Sequence, residues 1–464
     1  CLTLPVLVVA CGSWGRRSLL SRVTSGGLFM LRRLLGETRF ITAPGETPPV
    51  QAGVLQIPGA FKERTRVLKL VSDRQAGEAC FLYDRASQEA TAVLWMTPRG
   101  WAAADVEAKI TRTEMFAELV RRIAELDGLA RFAFHARTLP QTTGALLDDY
   151  QADQPDDAAS GEAASTELVA ADPAPARGTR AATAVTARAD YEDFLESGLP
   201  GPVVRHDLLF TLTLDTRAVG REIARLGGEA RGVSEVLQDR VLALLSLLPE
   251  AGVDPRWCRW STPGQLRAHI RAAIAPWDVG WLDDQGWDLP ADSPLVGAIR
   301  EHRHDIDIDG ARHRTLWIQD WPRLPREVGF LDGLVSRAEC PHTVSVLCEP
   351  VPVEKAEADH RRASQSHESA VRMHRALQGP GQPLSPSLET ERRELEARSE
   401  EIGLGFGAVR FRGFVTLSGQ DKTELAVHEA QLRRVSAALR LATQPDRQYA
   451  AFLAALPLGI GVRR

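Results

Sequence analysis

The stretch 302–335, HRHDIDIDGARHRTLWIQDWPRLPREVGFLDGLV, does most to narrow what this chain can fold into. Asp309-Gly310 separates two runs of alternating character, the pattern of a two-residue β-hairpin turn. With that pair as the turn, residue 307 faces 312 and 305 faces 314. Asp307 then meets Arg312 and Asp305 meets Arg314 on one face, where opposite charges stabilise by about 0.2–1 kcal/mol a pair. Ile306 and Ile308 point to the other face. The outgoing strand passes through Leu316, Trp317 and Ile318 to Trp321-Pro322-Arg323, where proline ends ladder pairing. Phe330, Leu331 and Leu334 begin an apolar helical stripe beyond it. Asp305, Asp307, Asp309 and Gly310 also match the opening of a calcium loop of the EF-hand kind. Its twelfth position needs a bidentate acid and is here Leu316, which favours the charge-matched hairpin over metal.

At 464 residues the chain has room for two or three globular domains, and a net charge of −5 exerts no general pull on nucleic acid. The six cysteines are sparse and lack C-x-x-C spacing, which points to reduced thiols in a cytosolic body. Cys340, His342 and Cys348 fall on one face of a strand interrupted by Pro341. That arrangement is read as an ordinary buried thiol pair before a zinc site.

The first residues, CLTLPVLVVACG, are about half of the roughly twenty apolar residues a bilayer span needs, and no basic segment precedes them as in a signal peptide. The expectation is the remnant of a membrane helix. Arg16, Arg17, Arg22, Arg32, Arg33 and Arg39 surround a single acid, Glu37, which is the positive-inside pattern with the bulk of the chain on the cytoplasmic side of the inner membrane. Arg16, Arg17, Arg32 and Arg33 are the expected membrane-proximal cations. Leu19, Leu20, Val23, Leu28, Met30, Leu31, Leu34 and Leu35 fit an amphipathic segment broken at Gly26-Gly27. The alternative is a buried strand at 1–12 with solvated arginines.

The expected organisation is a membrane-helix remnant and basic segment at 1–45, a small α+β domain at 46–152, a linker or loop at 153–182, and an α+β domain at 183–464. Short β runs fall at 53–57, 66–71, 78–83 and 91–96, a helix at 105–127 closed by Gly128, and strands at 129–138 and 203–215. Segment 153–182 is acidic, then rich in Ala, Pro and Gly, with almost nothing to bury. Helices are expected near 183–197 and at 216–226, 231–248 and 420–441. The tryptophans Trp257, Trp260, Trp277, Trp281 and Trp287 suit a core between lobes before a docking surface or a membrane-interface edge. Residues 353–402 read as two helices polar nearly all round, joined by GPGQPLSPS, the first about 37 Å long. A helix of that kind bridges solvent or touches a partner. Strand, helical arm, strand and helix in that order give an α+β class of antiparallel sheets with packed helices.

The chain contains no Gly-Lys dipeptide, so the phosphate-cradling G-x-x-x-x-G-K-[ST] loop is missing, as are G-x-S-x-G and H-E-x-x-H. No catalytic residue, cofactor or metal ligand is assigned.

The W-I-x-x-W-P-R strand end at Trp317–Arg323, F-L-x-x-L at 330–334, the arm at 353–402, and the ending A-A-L-R-L followed by Q-x-x-A-F-x-A-A-L-P-L-G at Gln448–Gly459 resemble an actinobacterial integral-membrane family of conjugation or type IV-like secretion loci. That family is itself similar to the N-terminal, non-motor domain of type IV secretion assembly ATPases. The resemblance implies a non-catalytic, membrane-anchored scaffold, oligomeric, that docks a separate secretion-class ATPase and small membrane proteins. Trp317, Trp321, Pro322, Arg323, Phe452, Leu456 and Pro457 are its expected partner-binding residues. A DNA-handling or regulatory protein of conjugation is the alternative, and nucleic acid as a partner stays open. An enzyme of another type would need a closed pocket with convergent polar groups.

Overall fold

The computed structural model describes residues 13–14, 17–41, 54–58, 65–73, 79–96, 105–141, 203–291, 293, 295–322, 328–379, 383–403 and 408–461. The apolar run at 1–12, Arg16, the linker at 153–182, the helix near 183–197 and Arg323 lie outside them.

The fold is α+β, built on one antiparallel sheet of 14 strands. Its strands are β1 (Arg39–Ile41), β2 (Val54–Pro58), β3 (Thr65–Asp73), β4 (Ala79–Asp84), β5 (Glu89–Met96), β6 (Leu129–Gln141), β7 (Val203–Asp215), β8 (Cys258–Trp260), β9 (Ala298–Glu301), β10 (Ile306–Ile308), β11 (Ala311–Asp320), β12 (His342–Val351), β13 (Ala408–Gly419) and β14 (Arg440–Thr443). Their order is β1-β9-β10-β11-β13-β12-β6-β7-β5-β4-β3-β2, with β8 added to β5 and β14 to β11. The segments expected as separate modules at 46–152 and 183–464 therefore interleave: β6 lies between β7 and β12, and β5 pairs with β7. Long-range pairing of apolar strands overrides the boundary that composition suggested.

The helices are α1 (Leu19–Leu34), α2 (Val106–Ala124), α3 (Gly220–Arg225), α4 (Glu229–Leu247), α5 (Pro263–Ile274), α6 (Val279–Asp284), α7 (Asp332–Val335), α8 (Val353–Gln378), α9 (Pro386–Gly403), α10 (Lys422–Val435) and α11 (Gln448–Ala455). Their starts follow local chemistry. Asp105 caps α2 by accepting from Ala108 N at 2.7 Å, and Thr262 and Gln265 form a reciprocal capping box on α5 with Pro263 in the first turn. Gly128 takes φ +74° after α2, and a Cβ there would meet Val219 at 2.2 Å, so only glycine turns the chain into β6.

One face of β4–β7 packs on α2, α3 and α4 through Phe81, Leu94, Phe132, Phe210, Leu237 and Val241. The other face curls so that both ends of the sheet share a core: Leu55 and Ile57 of β2 join Ile299 of β9 and Ile306 and Ile308 of β10 around α5 and α11. Among the described residues no helix is long and apolar enough to cross a membrane.

Three helix readings change. The chain expected as helix over 420–441 leaves α10 at Val435, because Leu439 and Leu441 are buried and Leu441 pairs with Ile318 as part of β14. Of 216–226 only Gly220–Arg225 is helical. The segment expected to break at Gly26-Gly27 is the continuous helix α1.

Candidate functional site

The hairpin forms in the expected register, with Asp307 opposite Arg312 and Ile306 opposite His313. Asp309 and Gly310 both have positive φ, +49° and +86°, which is the handedness a two-residue hairpin turn requires. The three aspartates diverge. Asp305 takes Arg312 at 2.7 Å and Arg314 at 3.2 Å. Asp307 meets His302 at 2.7 Å. Asp309 accepts from the amides of Gly297 and Ala298 at 2.8 and 2.7 Å and pairs with Arg271 at 2.7 Å, tying the turn to α5. Among the described residues no group of three or more His, Cys, Asp or Glu could hold a metal ion. His342 likewise has its two ring nitrogens 2.7 Å from the carbonyls of Cys340 and Leu334, and its one N–H donates to one of them. Cys348 sits about 20 Å further along β12, and burial pushes its thiol up to about 12.

The structure separates the residues expected to bind partners. Phe452, Leu456 and Pro457 are buried, so the C-terminal motif is core and not surface. Phe452 packs within 4.9 Å of the His313 ring. Gln448, at the start of that motif, fills a gap in the sheet. β10 covers the edge of β11 at 311–313 and β14 covers it at 316–320, leaving Thr315 uncovered between them. The Gln448 amide accepts from Thr315 N at 2.9 Å and donates to Thr315 O at 3.2 Å, standing in for a strand. Trp317 is half-buried against Phe414, and Trp321 packs edge-on to the exposed Phe411 at 5.4 Å. Of the expected set, Trp317, Trp321 and Pro322 are half-buried, and Phe411 beside Trp321 is exposed.

The five tryptophans of 257–287 divide: Trp287 is buried, whereas Trp257 and Trp281 are exposed. Trp287 belongs to a polar network that sequence reading did not find. Arg137 of β6 lies opposite Asp207 of β7 and holds its carboxylate with two bonds of 2.7 and 2.6 Å. Arg137 also donates to His269 O at 3.0 Å, while the Arg205 guanidinium stacks 4.4 Å over Trp287 and reaches Asp283 at 3.2 Å. Burial raises the Asp207 carboxyl, but the charge and hydrogen bonds of Arg137, with Arg205 and His269, hold it below the usual carboxylate range. Burial, reinforced by Arg137, pushes His269 down to about 3, too weak a base to carry a proton at neutral pH. The network clamps β6, β7, α5 and α6 together. The signal was an arginine and an aspartate inside two long, largely apolar runs, legible only once their register is known.

The arm α8–α9 leaves the sheet between β12 and β13, which pair directly at its root, Val351 opposite Ala408. Along α8 only Ala356 and His367 are buried. His367 faces Glu391 of α9 at 3.3 Å, and near the tip Met373 and Leu377 are exposed. The helices hold each other and present their outer faces to solvent.

Of the expected membrane-proximal cations, Arg32 is a correction. It is buried and pairs with Glu301 of β9 at 2.5 Å, because Phe29 and Arg32 share the inward face of α1. Burial raises the Glu301 carboxyl, and Arg32 opposes that. Arg33 is exposed, as are Leu28, Met30, Leu31, Leu34 and Leu35. Arg17 belongs to a two-residue ladder with Trp14.

No family model matches the chain, and no curated protein matches it.

Proposed function

We propose that this chain is a non-catalytic docking subunit of a conjugation or type IV-like secretion apparatus, held at the inner membrane through its N-terminal segment and presenting the α8–α9 arm to a separate secretion-class ATPase. The arm carries the reading: a helical hairpin whose first helix buries only Ala356 and His367 gives up the burial that normally stabilises a helix, and a partner surface accounts for it. The order of motifs from Trp317 to Gly459 and the missing phosphate-binding loop support the same reading. The exposed apolar side of α1 supports a bilayer-facing N-terminus.

The test is affinity purification of the membrane form in two versions, the whole chain and one in which a two-residue turn joins Val351 to Ala408 in place of the arm. The whole chain is expected to bring down an ATPase of the secretion class and small membrane proteins, and the armless chain to lose the ATPase. Equal recovery of the ATPase with both, or ATP turnover by the purified chain alone, rejects the proposal.

A further inference from the structure

Between α1, β1 and β9 lies a surface cleft of about 780 Å³. Arg33, Arg39, Arg300 and Arg303 stand around it. Its carboxylates are Glu301, taken by Arg32 at 2.5 Å, and Asp446, beside Arg303 at 3.5 Å. Arg33, Arg39 and Arg300 have no acidic partner among the described residues.

The decisive feature is in the register. Arg39 of β1 lies directly opposite Arg300 of β9. Like charges placed so are destabilising. The next residue in the same cross-strand row, Asp307, lies opposite Arg300 on its other side but is shared with His302 at 2.7 Å and Arg312 at 3.4 Å, and one carboxylate does not offset Arg39, Arg300 and Arg312 together. An anion seated in the cleft would. Planar guanidinium forks match the paired oxygens of a phosphate. The rim beside them is apolar: Met30 lines the cleft, and Leu31, Leu34 and Leu35 of the same helix end are exposed, Leu34 by 84%. Free phosphate needs no such surface, whereas a phosphate carrying acyl chains does.

We infer that this cleft binds the phosphate headgroup of an acidic phospholipid, with Arg33, Arg39 and Arg300 as its ligands and the exposed leucines of α1 against the acyl region. This rests on the membrane reading above and adds a site and a lipid class to it.

The test uses the whole chain in flotation with phosphatidylcholine vesicles, with and without phosphatidic acid. The chain is expected to prefer the acidic vesicles. Arg39→Gln and Arg300→Gln are each expected to weaken that binding about five-fold, the equivalent of ~1 kcal/mol per arginine at an anionic surface. Both side chains are exposed, so the fold should persist, and Arg375→Gln on the arm, an equal change in net charge, should leave binding unchanged. An equal loss in Arg375→Gln, or equal binding to neutral and acidic vesicles, overturns the cleft proposal and leaves the membrane reading standing. Binding to no vesicle at all, with inorganic pyrophosphate still raising the melting temperature of the wild type but not of Arg300→Gln, overturns lipid as the source and the membrane reading with it.

Discussion

His313 shows how much one side chain of this core is asked to do. Its Nε2–H donates to Ile274 O at 2.8 Å and its Nδ1 accepts from Ser418 Oγ at 2.9 Å, so the neutral ring is fully used. Burial lowers its pKa from 6.5 to about 4, and the same cause takes His135 from 6.5 to about 3. Since the folded value is depressed, the unfolded chain binds the proton first. Stability is full above about pH 6.5 and declines as the pH drops toward the folded values, by up to ~1.4 kcal/mol per pH unit for each imidazole. Urea midpoints between pH 7 and pH 4.5 should follow that slope, and His313→Gln should flatten it by one histidine's share. Gln448→Leu should cost about 1–3 kcal/mol for each Thr315 group left unpaired, read as a lower urea midpoint at constant slope. The Asp309-Gly310 turn and the Asp307/Arg312 pair were readable in the sequence because everything that decides them lies within a few residues. The role of Gln448 was not, because its partner is 133 positions away and becomes visible only through the gap between two other strands.

At the scale of elements, amphipathicity was legible and orientation was not. The periodicity of α1 marks a helix with a polar and an apolar side, and a run of arginines beside an apolar segment suggests a bilayer. Yet Phe29 and Arg32 turn inward to the sheet while Leu31, Leu34 and Leu35 turn out, a choice made by Glu301 some 269 residues later. Arg32→Ala leaves that carboxylate buried without its partner. It should open α1 and β1, seen as faster amide exchange over residues 29–41, while β6 and β7 keep their protection. The C-terminal motif differs in the opposite sense, expected at a partner surface and found in the core. A segment as apolar as Phe452–Leu458 fits a partner's groove and a core equally well, and here the curled sheet supplies the groove. The arm was recognisable because a long helix without an apolar face has few places to go.

For the whole molecule, chain order and sheet order disagree: β1 and β2 are neighbours in sequence but lie at opposite ends of the sheet, and β6 pairs on one side with β12, some 200 residues later. Such topology makes folding depend on the late strands. A chain ending after Glu301 would expose the long β6 edge and lack α11, and it should aggregate or be digested rapidly, whereas removal of the arm alone should leave the melting temperature nearly unchanged. Composition suggested two modules because it registers the polar stretch at 153–182 and is blind to which strands meet across it. The rooting of α8 and α9 on adjacent, hydrogen-bonded strands means that the reach of this projection is a free variable. Seven extra residues in each helix would carry the tip outward by about 10 Å without touching the base, whereas seven in only one would shear the tip sideways. Spacing between this body and whatever it holds could thus be reset in matched steps, as a mast is raised by equal sections on both rails.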